Sequence, residues 1–499
     1  MADYAKTGFS RVFLIDGGAR PDHAPVYQSC LRAGGISKGY GDITTIYCPS
    51  ATAYDQFVEV DSFKGTAERA TTSLMGRYLA DTASALLRIA EQGCGADVHI
   101  HIGKCTDPTK FNTFTKAVVL EGAYISSWST DELGALSPDE RNNVGETAEI
   151  SARAVYEVLP LTIGEVASSV VTSEVLDVVI CDAVACGECE EISTGCQHIY
   201  SISKPQTGSA GALPDIIYTV DGSTWYADNI DSLSTAQAPN SIACLGDYIV
   251  VTSHDACNLN YALKAEVDDV DFDETWIGIT TGIVAGKCPL DSFRAIGGIY
   301  LYICGEGGYI YRTANPVDGV TVVSAGAATL EDLNAIMMYS DTFGVAVGNS
   351  SAVTYTEDGL SWVSVTGPVG AANLNCVWCV SETTWFVGTS NGRLYYTADK
   401  GDTWVLKGFP GSGSGVVYDV CFASTAVGYI SHTTAAIAGR ILRTYDGGYS
   451  WNIAPEAAGT IPANDRLNAL SACPADVNFI VGVGLGGNGV DGIIIVGAD

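Results

Sequence analysis

The decapeptide YYTADKGDTW, Tyr395–Trp404, runs a pair of tyrosines into an aspartate, a glycine and a tryptophan. Nearly the same phrase returns as TYDGGYSW at Thr444–Trp451, and one residue shorter at Thr219–Trp225 and Thr356–Trp362. The shared form is Thr-x-Asp-(x)-Gly-x-Ser/Thr-Trp. Degenerate echoes lie at Tyr311–Asn315 and near Asp273–Trp276. A second phrase opens several units: Leu333-Asn334-Ala335-Ile336, Leu374-Asn375-Cys376-Val377 and Leu467-Asn468-Ala469-Leu470. Asn334 to Asn375 is 41 residues, as is Asp358 to Asp399, and Asp399 to Asp446 is 47. Two markers that advance together define a repeat of roughly 40–47 residues, the span of a four-stranded propeller blade.

The chemistry inside one unit agrees. The stretch CVWCVSETTWFVGTSNGRLYYTADKGDTWVL alternates short apolar, β-branched and aromatic runs with turn residues, which predicts strands. The Asp belongs in a hairpin turn, where its carboxylate accepts backbone N–H groups. The Gly supplies a left-handed conformation. The Trp begins the next strand and buries its ring between neighbouring sheets.

These residues resemble the Asp-box (BNR) repeat of sialidase-like β-propellers, over roughly residues 197–499. The resemblance implies structural roles for Asp221, Trp225, Asp358, Trp362, Asp399, Trp404, Asp446 and Trp451, at blade edges away from any catalytic face. Units start near Gln197, Asn240, Phe293, Leu333, Leu374, Val416 and Leu467, so six or seven blades are expected. The last unit ends at Gly492–Val496 without an outer strand. An N-terminal strand can complete it, since closure removes exposed edges.

A sialidase needs an arginine cluster, a Tyr/Glu nucleophile pair and an acidic proton donor. The repeat region has few arginines: Arg294, Arg312, Arg393, Arg440, Arg443 and Arg466. Phe293-Arg294-Ala295-Ile296 resembles the family's Phe-Arg-Ile-Pro signature but lacks the Pro. The expectation is therefore a binding or display module rather than an enzyme, with no catalytic residues and no cofactor.

Residues 1–180 read differently. Ala67–Gln92 places Ala67, Ala70, Leu74, Tyr78, Ala85, Leu86 and Ile89 on one helical face, and Gly93 can end the helix. Strand-like runs surround it: RVFLID, DITTIYCP, DQFVEVDSF, ADVHIHIG, KAVVLEGAYISSWS and AEISARAVYEVLPLTI. This predicts an α+β domain. The order of GDITTIYCP, the helix and KAVVLEGAYISSWSTDELGALSPDERNNVGETAEISA resembles a tail-tube (major tail) protein of tailed bacteriophages. That resemblance implies a β-sandwich or barrel with one helix, assembling into hexameric rings stacked as a tube, with accessory domains outside.

The expected organisation is thus mainly β: a self-assembling, tail-tube-like domain at 1–180, a Cys-rich linker at 181–196 and the propeller at 197–499. The expected function is a virion structural protein whose propeller decorates the surface or adheres to host glycans. Two alternatives stay open. One is a sialidase-like, glycan-acting enzyme. The other is an assembly factor like the photosystem-associated Asp-box propellers, which bind a protein partner.

Bulk properties bound these readings. A chain of 499 residues exceeds one ordinary core. Its 56 glycines, 16% charged residues and positive mean hydropathy suit a turn-rich β protein. A net charge of −32 argues against phosphate binding and suits a conduit in which DNA is non-sticking cargo. The N-terminus shows no secretory signal, and no apolar run reaches the ~18 residues of a membrane span. Assembly in a host cytoplasm and residence in the virion tail are the expectation.

Sixteen cysteines in a chain made in a reducing cytosol are expected mostly as buried core residues. Cys181, Cys186, Cys189 and Cys196 form the densest cluster. Two disulfides formed after release into an oxidising medium are the favoured reading, with a structural Zn²⁺ or an iron–sulfur spacing as alternatives. Cys376 and Cys379 point to opposite faces of a strand and read as core. His99 and His101 share one strand face, read as solvated or lumen-facing, with a two-ligand metal site the alternative. Asp268–Glu274 reads as a solvated acidic turn rather than a calcium loop.

Overall fold

The computed structural model describes residues 10–498 except 17–25, 28–31, 41–44, 50–56, 63–67, 78–95, 103–115, 131–144, 153, 160–161, 166–170, 172, 182–195, 197, 206–213, 235–236, 268–274, 296, 327, 369–371, 435–438, 455–464 and 487–490. The chain divides into two compact units, Met1–Pro160 and Leu161–Asp499.

In the first unit every described element is a strand, and every pairing is antiparallel. The main sheet runs, in spatial order, Val26–Tyr27, Ser10–Asp16, Ala96–Ile102, Lys116–Thr130, Gly145–Ala152, Glu68–Arg77 and Arg32–Tyr40. Ala154–Val158 also pairs with Lys116–Thr130, whose 15 residues are long enough to serve both halves of the sheet. Thr45–Pro49 and Phe57–Ser62 form a separate two-stranded sheet.

Two expectations fail here. Glu68–Arg77, the first part of the predicted helix, is a strand held between Arg32–Tyr40 and Gly145–Ala152. The rest of that stripe, from 78 onward, lies outside the described residues. Long-range pairing on both edges has outweighed a local 3.6-residue pattern. His99 and His101 are not solvated: both are buried, as are Val98 and Ile100 on the opposite face of the same strand. That strand is covered on both sides.

The second unit is a β-propeller, and its described strands form seven four-stranded sheets. The innermost strands are, in order, Val175–Ile180, Ser241–Leu245, Pro289–Arg294, Leu333–Met338, Leu374–Cys379, Val416–Phe422 and Arg466–Ala472. Each packs against the next, and Arg466–Ala472 returns to Val175–Ile180, so the circuit closes. Among the described residues one α-helix occurs in this unit, the four-residue Lys264–Val267, with three short 3-10 turns. The last sheet is completed from the other end of the unit. Thr162–Glu165 pairs antiparallel with Gly492–Ala498, Thr162 opposite Ala498 and Glu165 opposite Ile495. This is the N-terminal closing strand that the edge argument asks for.

The predicted boundaries shift accordingly. Thr162–Glu165 and Val175–Ile180, expected in the N-terminal domain, belong to propeller sheets. The first sheet starts at Val175 rather than Gln197, so 181–196 falls, in sequence, between its first and second strands rather than between two domains. Apolar runs too short to be confident strands alone are fixed by this ring closure.

The Asp turns join the third and fourth strands of the first, fourth, fifth and sixth sheets. In each, the Asp Oδ1 accepts a backbone N–H across the turn: Thr224 at 2.6 Å, Ser361 at 2.6 Å, Thr403 at 2.8 Å and Ser450 at 2.9 Å. A buried threonine completes each turn. Thr219, Thr356, Thr397 and Thr444 donate Oγ1 to the same carboxylate and accept the turn glycine's N–H at 2.9–3.0 Å. The glycine is obligatory at Gly448. Its φ is 89°, and a Cβ there would lie 2.3 Å from the buried Phe386 ring.

The tryptophans pack backward onto the preceding sheet. Trp362 lies 6.5 Å, ring to ring, from Tyr302, and Trp451 lies 6.2 Å from Phe386. Trp404 donates Nε1 to the Thr366 carbonyl at 2.9 Å, and Trp225 packs with Val481 and Ile494 of the closing sheet. Trp276, in the degenerate second unit, does the same against Tyr218 and Tyr200. The Ser361 and Leu360 backbone N–H groups hold Asp358 at about 2, and Asp221 is also lowered, chiefly by the Thr224 and Ser223 N–H groups. Asp446 differs: burial pushes it up against its Ser450 and Thr444 bonds. Asp446→Ala should cost about 2–3 kcal/mol, because the Ser450 N–H and hydroxyl lose a buried charged acceptor. Thermal melts of the variant check this, and an unchanged midpoint refutes the role.

Candidate functional site: the central channel

The inner strands share one irregularity. In six of the seven, a register shift leaves an extra residue near the strand's start: Leu176, Leu290, Asn334, Asn375, Tyr418 and Asn468. Such a bulge re-aims the side chains around it. Here it turns polar groups toward the next sheet and toward the ring's axis.

Every junction between neighbouring inner strands is bridged by such a side chain. Asp177 Oδ2 accepts the Ile242 N–H at 2.9 Å, Asp291 Oδ2 that of Ile336 at 2.9 Å, and Asp419 Oδ2 that of Leu470 at 2.8 Å. Asn334, Asn375 and Asn468 instead donate Nδ2 to the carbonyls of Leu374, Val417 and Val175, at 3.0, 2.9 and 2.8 Å. Between the second and third sheets, Ser241 Oγ accepts the Ser292 N–H at 3.2 Å. Inner strands have no partner on their axial edge, so these side chains satisfy ladder groups that would otherwise be stranded.

Within this circuit is a cavity of about 310 Å³. Leu176, Val179, Ile180, Phe293, Trp378 and Tyr418 contribute its apolar and aromatic wall. The three aspartates stand among them, each with some surface toward the channel and protein on its other sides. Burial raises Asp177 to about 6. Burial and the Asp177 charge raise Asp291 to about 7. Burial, with Asp177 and Asp291 acting across the channel, raises Asp419 to about 8. The trio is coupled by like-charge repulsion in a poorly solvated space.

Arg294 is the arginine that lines this channel, and its Nη1 is engaged with the Gly298 carbonyl at 3.0 Å. The others are dispersed. Arg312 stacks on Tyr300 at 4.2 Å, Arg393 donates to Tyr395 Oη at 3.3 Å, Arg443 is buried against Asn478, and Arg466 pairs with Glu174. Arg440 lies close enough to depress His432. The structure brings no arginine trio to one point among the described residues.

The cysteine cluster is also dispersed. Cys181 is joined to Cys244 and Cys196 to Cys473, each a partner in a neighbouring sheet, so these two do not form one four-thiolate set with Cys186 and Cys189. Cys186 and Cys189 lie outside the described residues, as does Asp268–Glu274. A third disulfide, unforeseen in the sequence, links Cys257 and Cys288. Cys304, Cys376, Cys379 and Cys421 are buried thiols, and burial raises each. Among the described residues, no group of three or more His, Cys, Asp or Glu side chains converges as a metal site, and no helix is long and apolar enough to cross a membrane.

Sequence reasoning missed the channel aspartates. The signal was present: Leu176-Asp177, Leu290-Asp291 and Tyr418-Asp419 fall where other units read Leu-Asn, with the acid one place later relative to the bulge.

No protein-family model matches the chain, and no curated protein matches it. Solved structures do. YCF48 bound to D1 peptide is 14% identical, with a TM-score of 0.50, covering 68% of this chain and 96% of that one. YCF48 from Cyanidioschyzon merolae is 13% identical, with a TM-score of 0.48 and coverages of 68% and 98%. The RRP9 WD40 repeats are 11% identical, with a TM-score of 0.49 and coverages of 68% and 97%. At these identities the likeness bears on fold, and the fold is the β-propeller.

Proposed function

We propose that this chain is a virion structural protein of the tail-tube type: the N-terminal unit assembles into stacked rings around a DNA conduit, and a seven-bladed Asp-box propeller is displayed outside as a binding head. The observation that carries the reading is the N-terminal sheet. It is antiparallel throughout its described residues, and its outer strands, Val26–Tyr27 and Arg32–Tyr40, each have one strand neighbour there. Such edges are templates for pairing with another copy. The net charge of −32 is compatible with a lumen that repels phosphate. The propeller contributes a rigid ring with loops at both ends, a scaffold suited to recognition of host-surface glycans or proteins.

A second reading rests on the channel and its acidic, aromatic wall: a propeller that binds a protein segment, as the name of the YCF48 structure with D1 peptide records for that protein. Negative-stain electron microscopy of the full-length protein across a concentration series separates the two. Rings or stacked tubes bearing regular external knobs are expected. A monodisperse monomer at every concentration overturns the tail-tube reading and leaves the partner-binding propeller.

A further inference from the structure

The three disulfides among the described residues are not scattered around the ring. Cys181 follows the inner strand of the first sheet and meets Cys244 in the inner strand of the second. Cys257, between the second and third strands of the second sheet, meets Cys288, which immediately precedes the inner strand of the third. Cys196, ahead of the second strand of the first sheet, meets Cys473, just past the inner strand of the closing sheet. Three consecutive junctions, closing sheet to first, first to second and second to third, are therefore covalently crossed.

The second and third sheets carry the degenerate turns, and the closing junction is where the two ends of the unit meet. The Cys196–Cys473 link has a particular topology. The chain between the two residues passes through all seven sheets, so the bond closes a loop of sequence separation 277 around the channel. The same seam is held without covalent help by Thr162–Glu165 on Gly492–Ala498, by Asn468 on the Val175 carbonyl, and by Glu174 with Arg466.

We propose that the three disulfides form a redox lock on ring closure: the chain closes its ring by strand pairing while the thiols are reduced, and oxidation then fastens the arc from the closing sheet to the third. In each step two thiols lose two protons and two electrons and gain one S–S bond. An external low-molecular-weight disulfide takes up the electrons and leaves as two thiols, by exchange through a mixed disulfide. Access orders the steps. Cys181, Cys244, Cys196 and Cys473 are buried at 2%, 5%, 7% and 1% exposure, whereas Cys257 and Cys288 are only partly buried. Reduction from solvent thus reaches Cys257–Cys288 before the two buried bonds.

The test uses the full chain, treated either with glutathione disulfide or with a phosphine reductant, followed by alkylation, peptide mapping and thermal melts. Mapping of the oxidised protein is expected to return the three pairs. Graded reduction under native conditions is expected to release Cys257 and Cys288 before the others. The fully reduced protein is expected to stay folded but to melt lower by about 8 °C or more, the shift that a loop of this length implies for a unit of this size. The double variant Cys196→Ser, Cys473→Ser should melt below the oxidised wild type and show early proteolysis at the seam. Free Cys196 and Cys473 after oxidation, or superimposable melts of the oxidised and reduced chain, overturn the proposal. If the double variant does not fold, the wild-type comparison decides by itself.

Discussion

Replacing Trp385 with alanine lowers the stability of the propeller by about 3–5 kcal/mol, the range for deleting a large buried aromatic ring. Trp385 has no exposed surface. Its Nε1 donates to the Glu382 carbonyl at 3.0 Å, which closes the turn before its own strand. Its ring meets Tyr355 at 5.5 Å and Phe343 at 6.1 Å from the fourth sheet, and Trp404 at 6.4 Å from its own. Deletion opens a cavity at the junction of the fourth and fifth sheets, and those rings cannot collapse into it without leaving their own contacts. A domain has about 5–15 kcal/mol in total, so the variant sits near the limit of folding. Urea denaturation with an unchanged slope and a lowered midpoint is the expected signature. Trp404→Ala, at the partly exposed edge of the same cluster, costs less. A Trp385 variant within about 1 kcal/mol of wild type would show that this junction is not closed by aromatic packing in the way described.

The legibility of the molecule follows how local each determinant is. The Asp turns were readable because the Thr, Asp, Gly and Trp that make each one lie within eight residues, and the hydrogen bonds that tie Thr, Asp and Gly together are internal to the turn. Even there the threonine's part was hidden, since a hydroxyl that both donates to Asp and accepts from Gly looks in sequence like any strand-end Thr. The opposite facing of Cys376 and Cys379 was readable from strand geometry, and the two thiols pack in different clusters.

What could not be read depends on partners far along the chain. Glu68–Arg77 has the spacing of an apolar helix face, yet it is a strand because Gly145–Ala152 and Arg32–Tyr40 offer ladders on both sides. Cys181 and Cys196 looked like partners in one cluster because they are 15 residues apart. Their actual partners are 63 and 277 residues away, brought near only by ring closure. The channel aspartates are the same kind of case. Asp177 is meaningful because Ile242, a sheet away, presents an N–H to it, and neither residue signals the other in sequence.

The channel aspartates also set the pH response. Asp177, Asp291 and Asp419 are raised in the folded state to about 6, 7 and 8, first by burial and, for the latter two, also by one another's charge. Between roughly pH 4, where these carboxyls ionise in the unfolded chain, and pH 8, the folded protein holds more protons than the unfolded one. Stability therefore falls as pH rises through that window. Above it, both states are ionised and the curve flattens. The lowered groups work in the other direction at a different place. Asp221, Asp358 and Asp399 in the turns, with Glu174 and Glu306, contribute stability that is present above about pH 4 and lost below it. His432, depressed by burial, favours the folded state above about pH 6.5 and opposes the aspartates with a single group. The three channel carboxyls outweigh it, and Asp215, raised to about 6 by burial and the Asp228 charge, and Asp446, raised by burial, act in the same direction as they do. Maximum stability is expected near pH 4–5, with a loss of about 3 kcal/mol by pH 9, a figure set below the full sum because each carboxylate keeps some surface toward the channel. Asp419→Asn is the decisive variant. Its amide oxygen still accepts one backbone N–H from Leu470 or Val420, and it cannot ionise. It should melt near wild type at pH 5, above wild type at pH 9, and flatten the profile between them. A variant whose melting temperature tracks wild type across the whole range, or a wild type that gains stability from pH 5 to 9, would mean that the three carboxyls are not held protonated by the ring. The junctions they bridge would then be held by ionised carboxylates throughout.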